Sequence, residues 1–140
     1  MATLWLVDPT ALPKPSGKAR KISRKPLFNL AGLQDAIHEG ALGDDDVLLA
    51  TRGCNKGMQT LEWAIEDLLD CIQCLCSADH RGAHWCENGA GQWLACDAYA
   101  IHYDEKRRCR SSHGLEFYLK FSIDEDGSLT LIMISTHLSH

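Results

Sequence analysis

No stretch of this sequence stays apolar for the roughly 18 to 20 residues that a membrane-crossing helix requires. The first ten residues are apolar around Leu4, Trp5, Leu6 and Val7, yet they carry neither a basic leader nor a small-residue cleavage site. Neither a membrane anchor nor a signal peptide is expected, and the expectation is a soluble, cytoplasmic protein. Basic charge is also scarce: 14 Lys and Arg against 19 Asp and Glu leave a formal charge of −5. Coating nucleic acid by bulk attraction needs a broad basic surface and is excluded, so any contact with RNA must be local. Internal repeats and low-complexity stretches are missing. A paired cysteine framework is missing too. Cys54, Cys71, Cys74, Cys76, Cys86, Cys96 and Cys109 form an odd set, three of them in one helical pattern, which predicts reduced thiols.

What is present describes one ordinary globular domain over residues 1–140, because 45% hydrophobic and 24% charged residues fit neither a disordered nor a fibrous chain. Lys14, Lys18, Arg20, Lys21, Arg24 and Lys25 crowd into twelve residues broken by Pro15, Gly17 and Pro26. Residues 1–26 therefore read as a partly flexible basic arm, either solvated or gripping phosphate. After Asn29, a good cap, Leu30, Leu33 and Ile37 predict a helix over 30–39 that stops at Gly40. A short strand is expected at 47–51 and a loop at 52–57. From the cap Thr60, the run Leu61 to Cys76 carries an apolar stripe of Leu61, Ile65, Leu68, Leu69, Ile72 and Leu75, which predicts the main helix. Three glycines within 77–91 predict a long loop, and the aromatic and small residues of 92–103 a half-buried strand.

The strongest pattern is a C-terminal hairpin, Leu115–Ile123 and Leu129–Leu138, turning at Asp126-Gly127, a dipeptide suited to a two-residue type I′ turn. That turn sets Lys120 opposite Met133, Tyr118 opposite Ser135 and Glu116 opposite His137 on one polar face. Leu115, Phe117, Leu119, Phe121 and Ile123 then share the other, core face with Thr130, Ile132, Ile134 and Leu138. A phenol, an ammonium, a carboxylate, a hydroxyl and an imidazole on one face suit proton transfer beside an anion, and equally suit the solvated side of a sheet.

From Asn29 to His137 the order of features resembles the motility quorum-sensing regulator (MqsR) family of toxins. The resemblance rests on a first helix ending at Gly40, an acidic helix over Glu62 to Leu75, a W-x-x-x-D-x-Y string at Trp93, Asp97 and Tyr99, and a tail of Tyr118-Leu119-Lys120 followed by Leu131 to His137. It implies a compact α+β fold like that of RelE ribonucleases, with two or three helices on a twisted antiparallel sheet. It further implies metal-independent cleavage of messenger RNA, no cofactor, and inhibition by a cognate antitoxin protein. Tyr118 and Lys120 match the family by position, and His137 stands at the place of a catalytic lysine. Trp93, Cys96, Asp97 and Tyr99 would bind substrate, with Cys96 where the family has a glutamine. The lysine before the string has three candidate stand-ins, His80, Arg81 and His84. In this reading Lys120 and Arg81 stabilise the phosphorane, His137 with His80 or His84 exchanges protons, and Tyr118 orients the phosphate or stacks on a base.

Three other readings compete. Cys71, Cys74, Cys76 and Cys86 with His80 or His84 have the donor types of a zinc site. Cys96 or Cys86 has the chemistry of a nucleophile beside a histidine. A toxin-like fold that only binds a partner protein would suit the acidic charge.

Overall fold

Alternating burial along paired strands builds most of the molecule. The computed structural model describes residues 4–15 and 20–137. In chain order the elements are β1 (Lys21–Ser23), α1 (Leu30–His38), β2 (Val47–Leu49), α2 (Arg52–Leu61), α3 (Ile65–Gln73), β3 (His80–Glu87), β4 (Trp93–Asp104), β5 (Cys109–Arg110), β6 (Leu115–Ile123) and β7 (Leu129–His137). The fold is α+β. One seven-stranded sheet runs β1-β3-β4-β6-β7-β2, with β5 on the end of β4. Every pair is antiparallel except β2 on β7, which is parallel and makes the sheet mixed.

The core lies between the helices and one sheet face. Tyr99, Ile101, Tyr103, Phe117, Leu119, Phe121, Ile123, Leu129, Leu131 and Ile134 meet Leu33, Cys54, Met58, Leu68, Cys71 and Ile72 there. Tyr99 stacks on Phe121 with ring centroids 5.6 Å apart. Residues 4–12 also belong to the body: Trp5 bridges to Phe28, and Leu4, Trp5 and Leu12 pack against the core. Lys21 to Ser23 of the expected basic arm form an edge strand on β3. Lys18 of that arm and Leu138 of the expected core face lie outside the described residues.

Three local expectations need correction. The loop expected at 52–57 is the first half of α2, capped by Thr51, whose Oγ1 accepts from the Cys54 amide at 2.9 Å. The stripe from Leu61 to Cys76 belongs to two helices. Glu62 takes a left-handed conformation (φ 58°) that ends α2, and Asp67 accepts from the Ala64 amide to start α3. Trp63 at the break stacks on Phe117, 5.1 Å between centroids, and donates through Nε1 to Glu105. Both helices face the same core, so their apolar stripes join in the sequence although the backbone breaks.

The loop expected at 77–91 is mostly β3. Gly82 (φ 110°) marks the register shift between His80 and Ala83 inside the strand, while Gly89 and Gly91 turn the chain into β4. A glycine can mark a bulge as well as a loop.

Close approach of α2 to β7 yields a stability prediction. A Cβ on Gly57 would lie 2.5 Å from the Ile134 carbonyl oxygen and 3.1 Å from its Cγ2. Alanine favours a helix by about 0.8–1 kcal/mol over glycine, but the obstructing atom is backbone. Gly57→Ala should therefore lose about 1–3 kcal/mol, as overpacked cores do. Urea unfolding measures it, and a variant as stable as the parent would mean that α2 does not seat on β7 this way.

Candidate active site on the outer face of the sheet

The sheet face away from the helices takes alternate residues of β3, β4, β6 and β7. Along β4 these are Cys96, Ala98, Ala100 and His102, opposite Lys120 at Ala98, Tyr118 at Ala100 and Glu116 at His102. On β3, His84 sits opposite Cys96, and on β1, Lys21 sits opposite His84. The small side chains of Cys96, Ala98 and Ala100 form the floor of a trough, a floor that is itself buried, with the longer side chains of β3 and β6 on either side of it. Charges act across that floor: Lys120 on His84, and Arg81 on Tyr118.

Cations act on two titratable groups of this face. His84 is held below its ordinary 6.5 by burial first, then by the charges of Lys120, Lys21 and His80. Cys86 is drawn from 9.0 to about 7, first by a hydrogen bond from Cys96, against burial, with Lys120 and Arg20 adding. Cations lower the pKa of imidazole and thiol alike. The His84 ring lies over Gly82, where an added Cβ would meet its Cε1 at 3.3 Å. Its buried Nδ1 has no hydrogen-bond partner among the described residues.

Beside the trough, Glu116 joins two side chains. The Tyr118 hydroxyl donates to Glu116 Oε1 at 2.6 Å, and His102 Nε2 lies 3.3 Å from Oε2. The hydrogen bond to Glu116, then burial and the carboxylate charge, raise the Tyr118 phenol and keep it protonated.

The site residues read from the sequence separate into two groups. Tyr118, Lys120 and His84 stand around the trough by register, while Arg81, at the bulge of β3, donates through Nη1 to the Ala78 and His80 carbonyls at 2.9 and 3.3 Å, its charge reaching Tyr118. The register sets His137 opposite Glu116, as expected, and its side chain is outside the described set. His80 is not in the trough. It is turned into the protein, its Nδ1 accepting from the Gly82 amide and its Nε2 2.9 Å from Asp97 Oδ1. Asp97 is fully buried and accepts from the Leu27 and Phe28 amides, so it fastens the entry to α1 onto β4. Tyr99 is a core ring, and Cys96 lies in the trough floor at 1% exposure. Trp93 lies five residues up β4 from Ala98, under the Arg20 guanidinium at 5.0 Å, lining a 190 Å³ hollow with Trp5 and Trp85.

His102 and Glu116 were absent from the residues assigned a role by resemblance. The signal for His102 is the alternation of large and small residues in Asp97-Ala98-Tyr99-Ala100-Ile101-His102-Tyr103, which puts His102 on the face of the alanines. The cysteines expected as a possible zinc set are split by the sheet: Cys71 is in the core and Cys86 on the outer side. Among the described residues no three His, Cys, Asp or Glu side chains are placed to hold a metal ion, and no helix is long and apolar enough to cross a membrane.

The negative charge gathers elsewhere. Asp35, Glu39, Asp46, Asp124, Glu125 and Asp126 line a 490 Å³ cavity between α1 and the β6–β7 turn. Arg108 and Arg110 are held by the acidic groups Glu66, Asp67, Asp70 and Asp79. From Lys120 to Asp124 the strand rises about 13 Å, at roughly 3.3 Å per residue. That exceeds the Debye length of about 8 Å at physiological salt, so the carboxylates of the turn leave the trough's potential largely intact.

No family model matches the chain, and comparison with curated proteins and with solved structures yields no match. The class defined by fold and site is an α+β protein with lysine, histidine, tyrosine and glutamate side chains on the sheet face away from its helices.

Proposed function

We propose that this trough binds single-stranded RNA and cleaves it without a metal ion, in the manner of MqsR-like messenger RNA interferases that a cognate antitoxin holds in check. The observation that carries the reading is the set of Arg81 and His84 on β3 facing Tyr118 and Lys120 on β6 across a floor of small residues. An extended phosphate chain fits a positive trough, and its bases gain from the aromatic ring of Tyr118.

Cleavage by the 2′-hydroxyl requires a base, charge stabilisation and an acid. His84, held deprotonated at neutral pH by its surroundings, takes the 2′-hydroxyl proton. Lys120 and Arg81 offset the charge growing on the phosphorane. Tyr118 gives a proton to the departing 5′-oxygen, and Glu116 with His102 holds the phenol in position. The products are a 2′,3′-cyclic phosphate and a 5′-hydroxyl.

Expression of the wild type and of Lys120→Ala from a tightly repressed promoter tests this. Growth arrest with cleaved messenger RNA in the wild type, and normal growth with the variant, is the expected result. Normal growth and intact RNA in both would replace the ribonuclease with a module that only binds a partner protein.

A further inference from the structure

We propose that Cys86 and Cys96 form a peroxide-reactive thiol pair on the outer sheet face, Cys86 providing the sulfur that is oxidised and Cys96 the thiol that closes a disulfide onto it. The register supplies the geometry. His84 pairs with Cys96 and Cys86 with Leu94, so the two cysteines are diagonal neighbours on one face of β3 and β4. The Cys96 Sγ donates to the carbonyl of Leu94, the cross-strand partner of Cys86, at 3.5 Å. Cys86 is half-buried, whereas Cys96 is 1% exposed.

The surroundings favour the thiolate of Cys86. The neighbouring Cys96 thiol first, against burial, then the charges of Lys120 from β6 and Arg20 beside β1 draw its pKa to about 7. Lys21 and His84 stand on the same face. The core thiols Cys54 and Cys71 are pushed up by burial and stay protonated. At pH 7 half of such a thiol is ionised, against about 1% for one at 9. After allowing for the lower nucleophilicity of the weaker base, the net gain in rate is about fivefold.

The chemistry balances with a hydroperoxide as oxidant. The Cys86 thiolate attacks the terminal oxygen; an S–O bond forms, the O–O bond breaks, and the departing alkoxide or hydroxide takes a proton. Cys86 is now a sulfenic acid. The Cys96 sulfur then attacks the Cys86 sulfur, its proton leaves with the hydroxyl as water, and the S–S bond forms. Two thiols and one hydroperoxide give one disulfide, one alcohol or water, and one water. Diagonal neighbours stand farther apart than the usual disulfide span, so closing the bond draws the strands together and leaves it readily reducible.

The test needs no RNA and stands apart from the ribonuclease reading. The reduced full-length protein is treated with hydrogen peroxide at pH 7, alkylated, and cut by a glutamate-specific protease after Glu87, which lies between the two cysteines. Mass spectrometry should find the Cys86 and Cys96 peptides joined and two hydrogens lighter than their sum, before Cys76 and Cys109 react, and glutathione should separate them. In Cys96→Ser a dimedone adduct should accumulate on Cys86; in Cys86→Ser, Cys96 should stay free. Oxidation of Cys76 or Cys109 ahead of Cys86, or a Cys96 thiol still alkylated after Cys86 is oxidised, would overturn the proposal. Wild-type peptide masses decide it even if a serine variant misfolds.

Discussion

Replacing Asp97 with alanine should remove about 3–5 kcal/mol of stability, the usual consequence of deleting one partner from a buried polar cluster. Its carboxylate accepts from the Leu27 amide at 3.0 and 3.1 Å, from the Phe28 amide at 3.0 Å and from His80 Nε2 at 2.9 Å, with none of its surface exposed. Alanine leaves two backbone N–H groups and an imidazole buried without an acceptor, and each such group costs about 1–3 kcal/mol. The entry to α1 loses its tie to β4 at the same time. With a urea m-value near 2 kcal/mol/M, the midpoint should fall by about 2 M. The resemblance to MqsR toxins implies a different result, because a carboxylate that reads substrate could be removed with little effect on folding. A variant that keeps its urea midpoint but loses RNA binding would return Asp97 to the substrate; a large loss of stability keeps it as an internal fastening.

The sequence is most legible where one period governs a long run. Asn29 caps α1 as its position suggests, accepting from the Gly32 amide at 3.0 Å. The β6–β7 hairpin follows from alternation, and Glu116, Tyr118 and Lys120 do pair with His137, Ser135 and Met133. The turn behind that register differs from the expected one. Asp124 pairs with Ser128 through its amide, leaving Glu125, Asp126 and Gly127 as a three-residue loop with Gly127 left-handed (φ 91°). Ile123 therefore faces Leu129 and Phe121 faces Leu131, until an irregularity after Lys120 inserts Ile132 and restores the expected pairing. A bulge far from the turn cancels the extra loop residue, so the polar face keeps the expected pairing although the turn differs. On the core face Phe117, Leu119, Phe121, Ile123 and Ile134 stand as expected, whereas Leu129 and Leu131 take the places expected for Thr130 and Ile132, and Thr130 joins Ser122 on the other side.

Less legible were features set by pairing between distant segments. Whether Gly82 belongs to a loop or a strand depends on β1 and β4 lying on either side of it. Whether His80 or His84 faces the trough depends on the bulge at Gly82, which switches side-chain parity between them. Asp97 and Tyr99 carry the residue types of a substrate site, but strand parity sends both to the core with Ile101 and Tyr103, and sends Ala98, Ala100 and His102 outward. The short motif names residue types, while the face each one occupies comes from the register of the whole sheet.

That register leads to the kinetic prediction with the largest effect. His84→Ala should slow RNA cleavage by about 10²–10⁴-fold, the usual contribution of a general base, and Lys120→Ala by about 10²–10³-fold, as for the loss of one electrostatic stabiliser. The two variants differ in their pH profiles. In the wild type the acid limb of the rate follows His84; because its pKa is lowered, activity persists below the ordinary imidazole value of 6.5 and falls only as His84 takes up a proton. Removing Lys120 removes one of the charges that hold it down, so the acid limb of the residual activity should move to higher pH. The same displacement should appear in the NMR titration of His84 without any RNA present. Glu116→Gln tests the positioning residue. The carboxylate raises the Tyr118 phenol through their hydrogen bond, so the amide should move the alkaline limb to lower pH with only a modest fall in the rate at neutral pH. An acid limb unmoved by Lys120→Ala would separate His84 from the chemistry, and an alkaline limb unmoved by Glu116→Gln would do the same for Tyr118.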